Sequence, residues 1–257
     1  MYSANYYDIR GRLINTVSSN NMGGYDKATT VYTFTGKPKT VTHIHTASGK
    51  ATQTQVYTYT YDHAERLDTL KHKLNAGPVA TLANNTYDNL GRLKKNSRNG
   101  QPSLADNYAY NIRSWITRIS GTQFTEDLTY EFNGNIATMQ WNTNSQTRKY
   151  TYSYDALSRL ILAAYTGANT TDKNNTSYSY DKHGNIETLQ RYGKTTASAY
   201  GLVDNLTMSY VGNQLTNVAD AGVTVSLAES NDFKKAPNST PGYAYNKNGA
   251  MTHGFFI

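Results

Sequence analysis

Polar and aromatic residues alternate along this chain in short runs. Tyr59 and Tyr61, Tyr152 and Tyr154, and Tyr178 and Tyr180 each lie two apart, a spacing that puts both rings on one face of a strand, where aromatic residues favour the pleated, half-buried environment. Most such runs end at an Asp or Asn, and in most a Gly follows within a few residues, as in Tyr178-Ser179-Tyr180-Asp181-Lys182-His183-Gly184-Asn185-Ile186. The Asp carboxylate can accept hydrogen bonds from amides two residues on. The Gly supplies the positive φ that closes a type I turn with a bulge. The pattern predicts a β-hairpin.

Much of the remaining sequence consists of looser copies. Clear ones begin at Tyr7-Asp8, Tyr61-Asp62, Tyr87-Asp88 and Tyr154-Asp155, with Tyr110-Asn111, Tyr130-Glu131 and Tyr245-Asn246 as variants, a worn copy anchored on Phe34 and a shortened one at Tyr210. Anchored on the aromatic before the turn, the copies recur every 20 to 35 residues. A period of this size with two strands per copy describes a repeat protein, in which each hairpin buries its face against its neighbours and none is stable alone. A residue that recurs at one place in every copy is explained first by the turn, so Asp8, Asp62, Asp88, Asp155 and Asp181 are turn formers.

Two details do not follow from the simple alternation. Glu65, Ser114 and Ser158 occupy the glycine slot, where a left-handed backbone costs a non-glycine residue about 1 kcal/mol; either they accept that cost or their hairpins use a different turn. In the return strands the apolar residues recur at three, as in Leu67 and Leu70, Ile136 and Met139, Ile186 and Leu189. A β-bulge after the turn, or a strand end covered on both sides, accommodates that spacing.

The motif Tyr-x-Tyr-Asp-x-x-Gly-Arg-Leu, seen in parts at Tyr87-Asp88-Asn89-Leu90-Gly91-Arg92-Leu93 and its relatives, resembles the YD repeat of bacterial RHS proteins, of insecticidal toxin complexes and of the animal teneurins. The resemblance covers nearly the whole chain. It implies an all-β fold of repeated antiparallel hairpins in a curved or spiral sheet, part of a hollow shell that in many bacterial members encloses a C-terminal toxin. Toxin-releasing members end their repeats in a segment with Asp-Pro elements where the chain cleaves itself. All five prolines here follow Lys37, Gly77, Gln101, Ala236 or Thr240, so no autoproteolytic residue carries over. The expectation is a single elongated domain over residues 1–257, a segment of a longer secreted or cell-surface protein, with an encapsulated toxin or further repeats as partner.

Composition fits this reading. Tyr (23) far outnumbers Phe (6), so the packing must find partners for many hydroxyls. There is no cysteine, which excludes disulfides and thiol chemistry. No apolar run reaches the length of a membrane span, and no secretion signal is visible at Met1 to Asn5. Loops are expected over Ser18 to Lys27, Ala168 to Thr176 and Glu229 to Pro241.

The formal charge of +7 would suit an anionic partner such as a polysaccharide, but the basic residues are scattered and form no specific nucleic-acid motif. Arg12, Arg66, Arg92 and Arg159 share one repeat slot and would form a ladder, solvated or paired with the turn aspartates. Trp115 and Trp141 lie outside the tyrosine slots. With Arg66, Arg92 and Arg159 they are the candidate ligand-binding residues, glycans being the ligand class. His43 and His45 flank Ile44 and would share a strand face, two imidazoles toward a metal site without an evident third ligand. No phosphate loop, nucleophile elbow or metalloprotease motif occurs, so the chain reads as non-enzymatic, with no catalytic residue and no cofactor.

Overall fold

A computed structural model describes residues 2–143, 145–167, 169, 173–223, 225, 232–233 and 242–254. Its residues group into two compact units, Met1–Thr125 and Glu126–Ile257. The first holds β1 (Ser3–Tyr7), β2 (Leu13–Ser19), β3 (Tyr25–Tyr32), β4 (Pro38–His45), β5 (Gln53–Tyr61), β6 (Leu67–Leu74), β7 (Val79–Tyr87), β8 (Leu93–Ser97), β9 (Ala105–Tyr110) and β10 (Ile116–Ser120). Each pairs antiparallel with the next. A short 3-10 turn at Pro102–Leu104 is the one helical element among the described residues.

The chain enters the second unit within β11 (Phe124–Tyr130) and continues as β12 (Ile136–Thr143), β13 (Gln146–Tyr154), β14 (Leu160–Thr166), β15 (Thr176–Tyr180), β16 (Ile186–Lys194), β17 (Tyr200–Val211) and β18 (Gln214–Asp220). From β12 onward each strand again pairs with its successor. A small hairpin of β19 (Ala244–Tyr245) and β20 (Met251–His253) follows. The all-β, hairpin-by-hairpin architecture expected from the repeats is what the chain adopts. Among the described residues no helix is long and apolar enough to cross a membrane.

The turns form as the motif requires. Gly11, Gly91, Gly134, Gly184 and Gly249 all have positive φ, and Glu65, Ser114 and Ser158 keep the same left-handed geometry at φ 60°, 62° and 61°. The non-glycine hairpins therefore use the same turn at a local cost. The three-residue spacing is a bulge. Tyr180 pairs with Ile186, Ser179 with Thr188 and Tyr178 with Leu189, leaving Glu187 as the extra residue, and the same shift precedes Tyr61, Tyr87, Tyr154 and Tyr210. Inserting one residue restores Ile186 and Leu189 to a single face, opposite the two tyrosines.

Two expectations are corrected. Half of Ser18 to Lys27 is strand, because Thr16 to Ser19 continue to pair with Tyr25 to Ala28 and the connection shortens to Asn20–Gly24. In the worn second copy the anchor is Tyr32 and not Phe34. Tyr32 ends its strand opposite Pro38, and Thr33 opens the turn, its amide donating to the Lys37 carbonyl at 2.7 Å. Phe34 sits at the apex. Of the loop expected over Glu229 to Pro241, only Asp232 and Phe233 fall within the described residues.

Fully buried side chains are few. Ala163, Val203, Leu206, Val218 and Val225 are buried in the second unit and Ala105 in the first. Most strand residues are half-buried, so the hairpins must be held to one another by other means.

Candidate functional site

The joint between successive hairpins is the most repeated piece of chemistry in the chain. Asp88 Oδ1 accepts the amides of Leu90 and Arg92, both at 2.9 Å, and Oδ2 accepts Arg92 Nε at 2.7 Å. The Arg92 guanidinium lies 4.6 Å from the centre of the Tyr110 ring in the next hairpin and donates to the Asn111 carbonyl at 3.1 Å. Tyr110 in turn donates its hydroxyl to the Leu93 carbonyl at 2.8 Å. One aspartate thus closes its own turn and aims an arginine, and the arginine grips the following repeat through a charge-assisted hydrogen bond and a cation–π contact.

The same joint links Asp8 and Arg12 to Tyr32, Asp62 and Arg66 to Tyr87, and Asp155 and Arg159 to Tyr180, with guanidinium-to-ring distances of 4.8, 4.3 and 4.7 Å. Tyr61, Tyr154, Tyr210 and Tyr245 make the hydroxyl half of it, to the carbonyls of Pro38, Ile136, Ile186 and Leu215. Lys37 replaces arginine over Tyr61 and donates to the Glu65 carbonyl. The arginine ladder is paired with the turn aspartates and packed on tyrosines, and this is where Arg66, Arg92 and Arg159 are found.

The electrostatics follow the geometry. The Arg12 amide, with the guanidinium behind it, holds Asp8 below the usual carboxylate range, and Arg159 does the same to Asp155. The Arg66 guanidinium leads in lowering Asp62. Burial pushes Asp88 up, but the hydrogen bonds from Arg92 outweigh it and the net shift is downward. Burial raises the phenols of Tyr110 and Tyr180, keeping them as neutral donors.

The two tryptophans occupy different settings. Trp115 stands in the arginine slot of its repeat, its amide bonded to Asn111 Oδ1 at 3.1 Å and the Arg113 guanidinium 5.1 Å from its ring. Trp141 belongs to an aromatic array on one face of β12 to β14: its ring centre is 5.7 Å from Tyr150, nearly parallel, and 6.3 Å from Tyr165. Tyr150 continues the array to Tyr152 at 5.8 Å and to Tyr165 at 5.1 Å.

One grouping escaped the sequence reading, and so did the partner of His45. Asp204 is fully buried, paired with Arg191 at 2.5 Å and accepting the Phe233 amide at 2.7 Å. Asp220 accepts the amides of Asn205 and Gly222, and Asp232 that of Val225. These carboxylates accept backbone amides of Gly222, Val225 and Phe233 and so tie those residues to the sheet. In the first unit His43 and His45 do share a face of β4, and Asp26 on β3 meets His45 Nδ1 at 2.5 Å. Neither the Arg191–Asp204 pair nor the Asp26–His45 contact has a local signal. Arg191 faces Asp204, and Asp26 faces His45, only once the strand register is known.

Residues 104–255 match the family model described as teneurin YD-shell. No curated protein sequence matches the chain. Among solved structures, the complex of TcdB2-TccC3 with Cdc42 aligns over 95% of this chain and 14% of its own at 17% identity and a TM-score of 0.58. TcdB2-TccC3 without its hypervariable C-terminal region aligns over the same shares at 16% identity and a TM-score of 0.60. At such identities the likeness is one of fold, and this chain spans only 14% of the length of those it matches. The repeat joints, the all-hairpin architecture and a family match over more than half of the sequence agree: the chain belongs to the teneurin YD-shell family of RHS/YD-repeat proteins.

Proposed function

We propose that the chain is a non-enzymatic wall segment of a secreted or cell-surface YD shell, which further repeats complete around a polypeptide cargo. The observation that supports this most is the Asp–Arg–Tyr joint: the residues that recur are engaged in tying one hairpin to the next. A wall also needs an edge on which further repeats abut, and the turn apices carry Ile9, Phe34, Leu90 and Ile112, exposed from 74% (Leu90) to 104% (Ile9). The test is the longer gene product. A C-terminal segment that resists added protease while the repeats are intact, and loses protection when Tyr87, Tyr110 and Tyr180 are replaced by Ala, supports enclosure. A segment digested equally in both sinks it.

A second reading, an adhesive module for glycans, is favoured by the aromatic array of Trp141, Tyr150, Tyr152 and Tyr165, since sugars stack on such rings. Trp115, Arg66, Arg92 and Arg159 would contribute to it only by leaving their present contacts. Retention on immobilised glycans that is lost in Trp141→Ala would establish this reading, and retention equal in the variant would remove it.

A further inference from the structure

We propose that the first unit carries a divalent metal site on the β3–β4–β5 face, built on His43 and His45 and suited to a borderline cation of the Cu2+, Ni2+ and Zn2+ series. It stands apart from the shell reading, and neither depends on the other.

The argument begins with alternation. Residues 43 and 45 are two apart in a regular strand, so both imidazoles project from one face with their Cβ atoms about 7 Å apart, close enough for two ring nitrogens to reach one ion at about 2.0–2.1 Å each. The register confirms the face, pairing Asp26 with His45 and Ala28 with His43 on one side, and Gln53 with His45 and Gln55 with His43 on the other. Ala28 leaves room in front of His43. A cavity of about 320 Å³ lies here, its lining including Asp26, Ala28, His43, His45, Gln53 and Gln55.

The orientation of His45 is the second observation. Its Nδ1 meets Asp26 Oδ1 at 2.5 Å, and that hydrogen bond leads in holding the Asp26 carboxyl below its ordinary range. A carboxylate on one ring nitrogen fixes the tautomer and leaves Nε2 with its lone pair free for a ligand. Metal-binding histidines are commonly prepared in this way. Asp26 is thus an orienting residue and His45 Nε2 a ligand. His43 is exposed on the strand, and its ring meets Tyr57 edge-on at 5.9 Å.

The donor set selects the metal. Two neutral imidazoles suit Cu2+, Ni2+ and Zn2+, whereas Ca2+ and Mg2+ require a shell of oxygens. Gln53, the cross-strand neighbour of His45, and water complete the coordination, so the site keeps exchangeable positions.

The experiment uses the purified chain in a non-chelating buffer at pH 7.5, titrated calorimetrically with NiCl2 and, separately, examined by electron paramagnetic resonance after one equivalent of CuCl2. One saturable Ni2+ site is expected, at least tenfold weaker in His43→Ala and in His45→Ala, weakened about tenfold in Asp26→Asn, and unchanged in His183→Ala, a histidine at the apex of a turn. The Cu2+ spectrum should carry splitting from two imidazole nitrogens, reduced to one in His43→Ala. The proposal is overturned by no Ni2+ uptake at 100-fold metal excess, by affinity unchanged in His43→Ala, or by an equal loss in His183→Ala. Asp26→Asn binding with full affinity would remove the orienting role of the carboxylate.

Discussion

The two edges of the first unit solve the same problem with different residues. Both are rows of tight connections between antiparallel strands. At the edge of the Asp turns the apices carry Ile9, Phe34, Leu90 and Ile112, all strongly exposed. At the opposite edge the connections include Asn20 to Gly24, Ala47 to Lys50, Asn75 to Pro78 and Arg98 to Leu104, mainly small or polar, with Met22 and Leu104 the large apolar exceptions. Local structure explains the second set, because Gly, Asn, Ser and Pro are turn formers. It does not explain the first. The turn is already closed by its first residue, through Oδ1 of Asp8, Asp88 or Asn111, which accepts two amides, or through the Thr33 hydroxyl, which accepts the Lys37 amide, so the two apex positions are conformationally undemanding. A bulky apolar side chain there answers to something outside its own hairpin.

The largest test of this contrast lies beside the apices and not on them. Tyr110→Ala should destabilise the fold by about 3 kcal/mol through lost packing, and Tyr110→Phe by about 1 kcal/mol through the hydroxyl alone, both read from urea unfolding. Arg92→Ala should cost about 1–2 kcal/mol, since it removes the cation–π contact and the bond to the next repeat together; a loss no larger than that of an exposed lysine such as Lys71→Ala would break the idea of a joint. Replacing Ser158 by Gly should stabilise by up to about 1 kcal/mol, because φ 61° is unfavourable for serine, whereas Gly184→Ala should destabilise by a similar amount.

The apex row sharpens the comparison because its effect on stability should be smallest. Combined Ile9→Ser, Phe34→Ser and Ile112→Ser should move unfolding by within about 0.5 kcal/mol per site while reducing self-association in sedimentation velocity. Met22→Ser at the other edge should change neither. Acid provides a last, graded check. Asp8, Asp62, Asp88, Asp155 and Asp181 all have carboxyl groups held below the ordinary aspartate value of about 3.9. Their contribution is present above that value and is lost as the pH falls through the lower, folded values. Circular dichroism should therefore show stability insensitive to these groups above about pH 5 and falling below about pH 4.

Much of this was legible in the sequence because the turn is a local device. Asp at its start and a residue of positive φ at its end define each hairpin within five residues, and the alternating tyrosines define the strand before it. The bulge could be narrowed to one of two explanations from Leu67 and Leu70 alone. What could not be read depends on register between distant segments. The partner of Arg92 in the next hairpin is a ring 18 residues on, and the choice between a solvated and a packed arginine rests on how the two hairpins are aligned. Asp26 and His45, 19 residues apart, are hidden for the same reason. The worn copy misled because Phe34 is aromatic and continues the alternation, while the short spacing from Phe34 to Gly36 already placed the turn two residues earlier, at Thr33.

The joints also bear on how length can change in such a protein. Each reaches from one hairpin only to the following one and uses the same few atoms every time, so whole hairpins are interchangeable parts. Deleting or duplicating one leaves the neighbours able to clasp each other unchanged, whereas removing a single strand would send every later turn to the wrong margin of the sheet. Growth by pairs of strands is the economical path, and families of this kind should vary in size by that quantum.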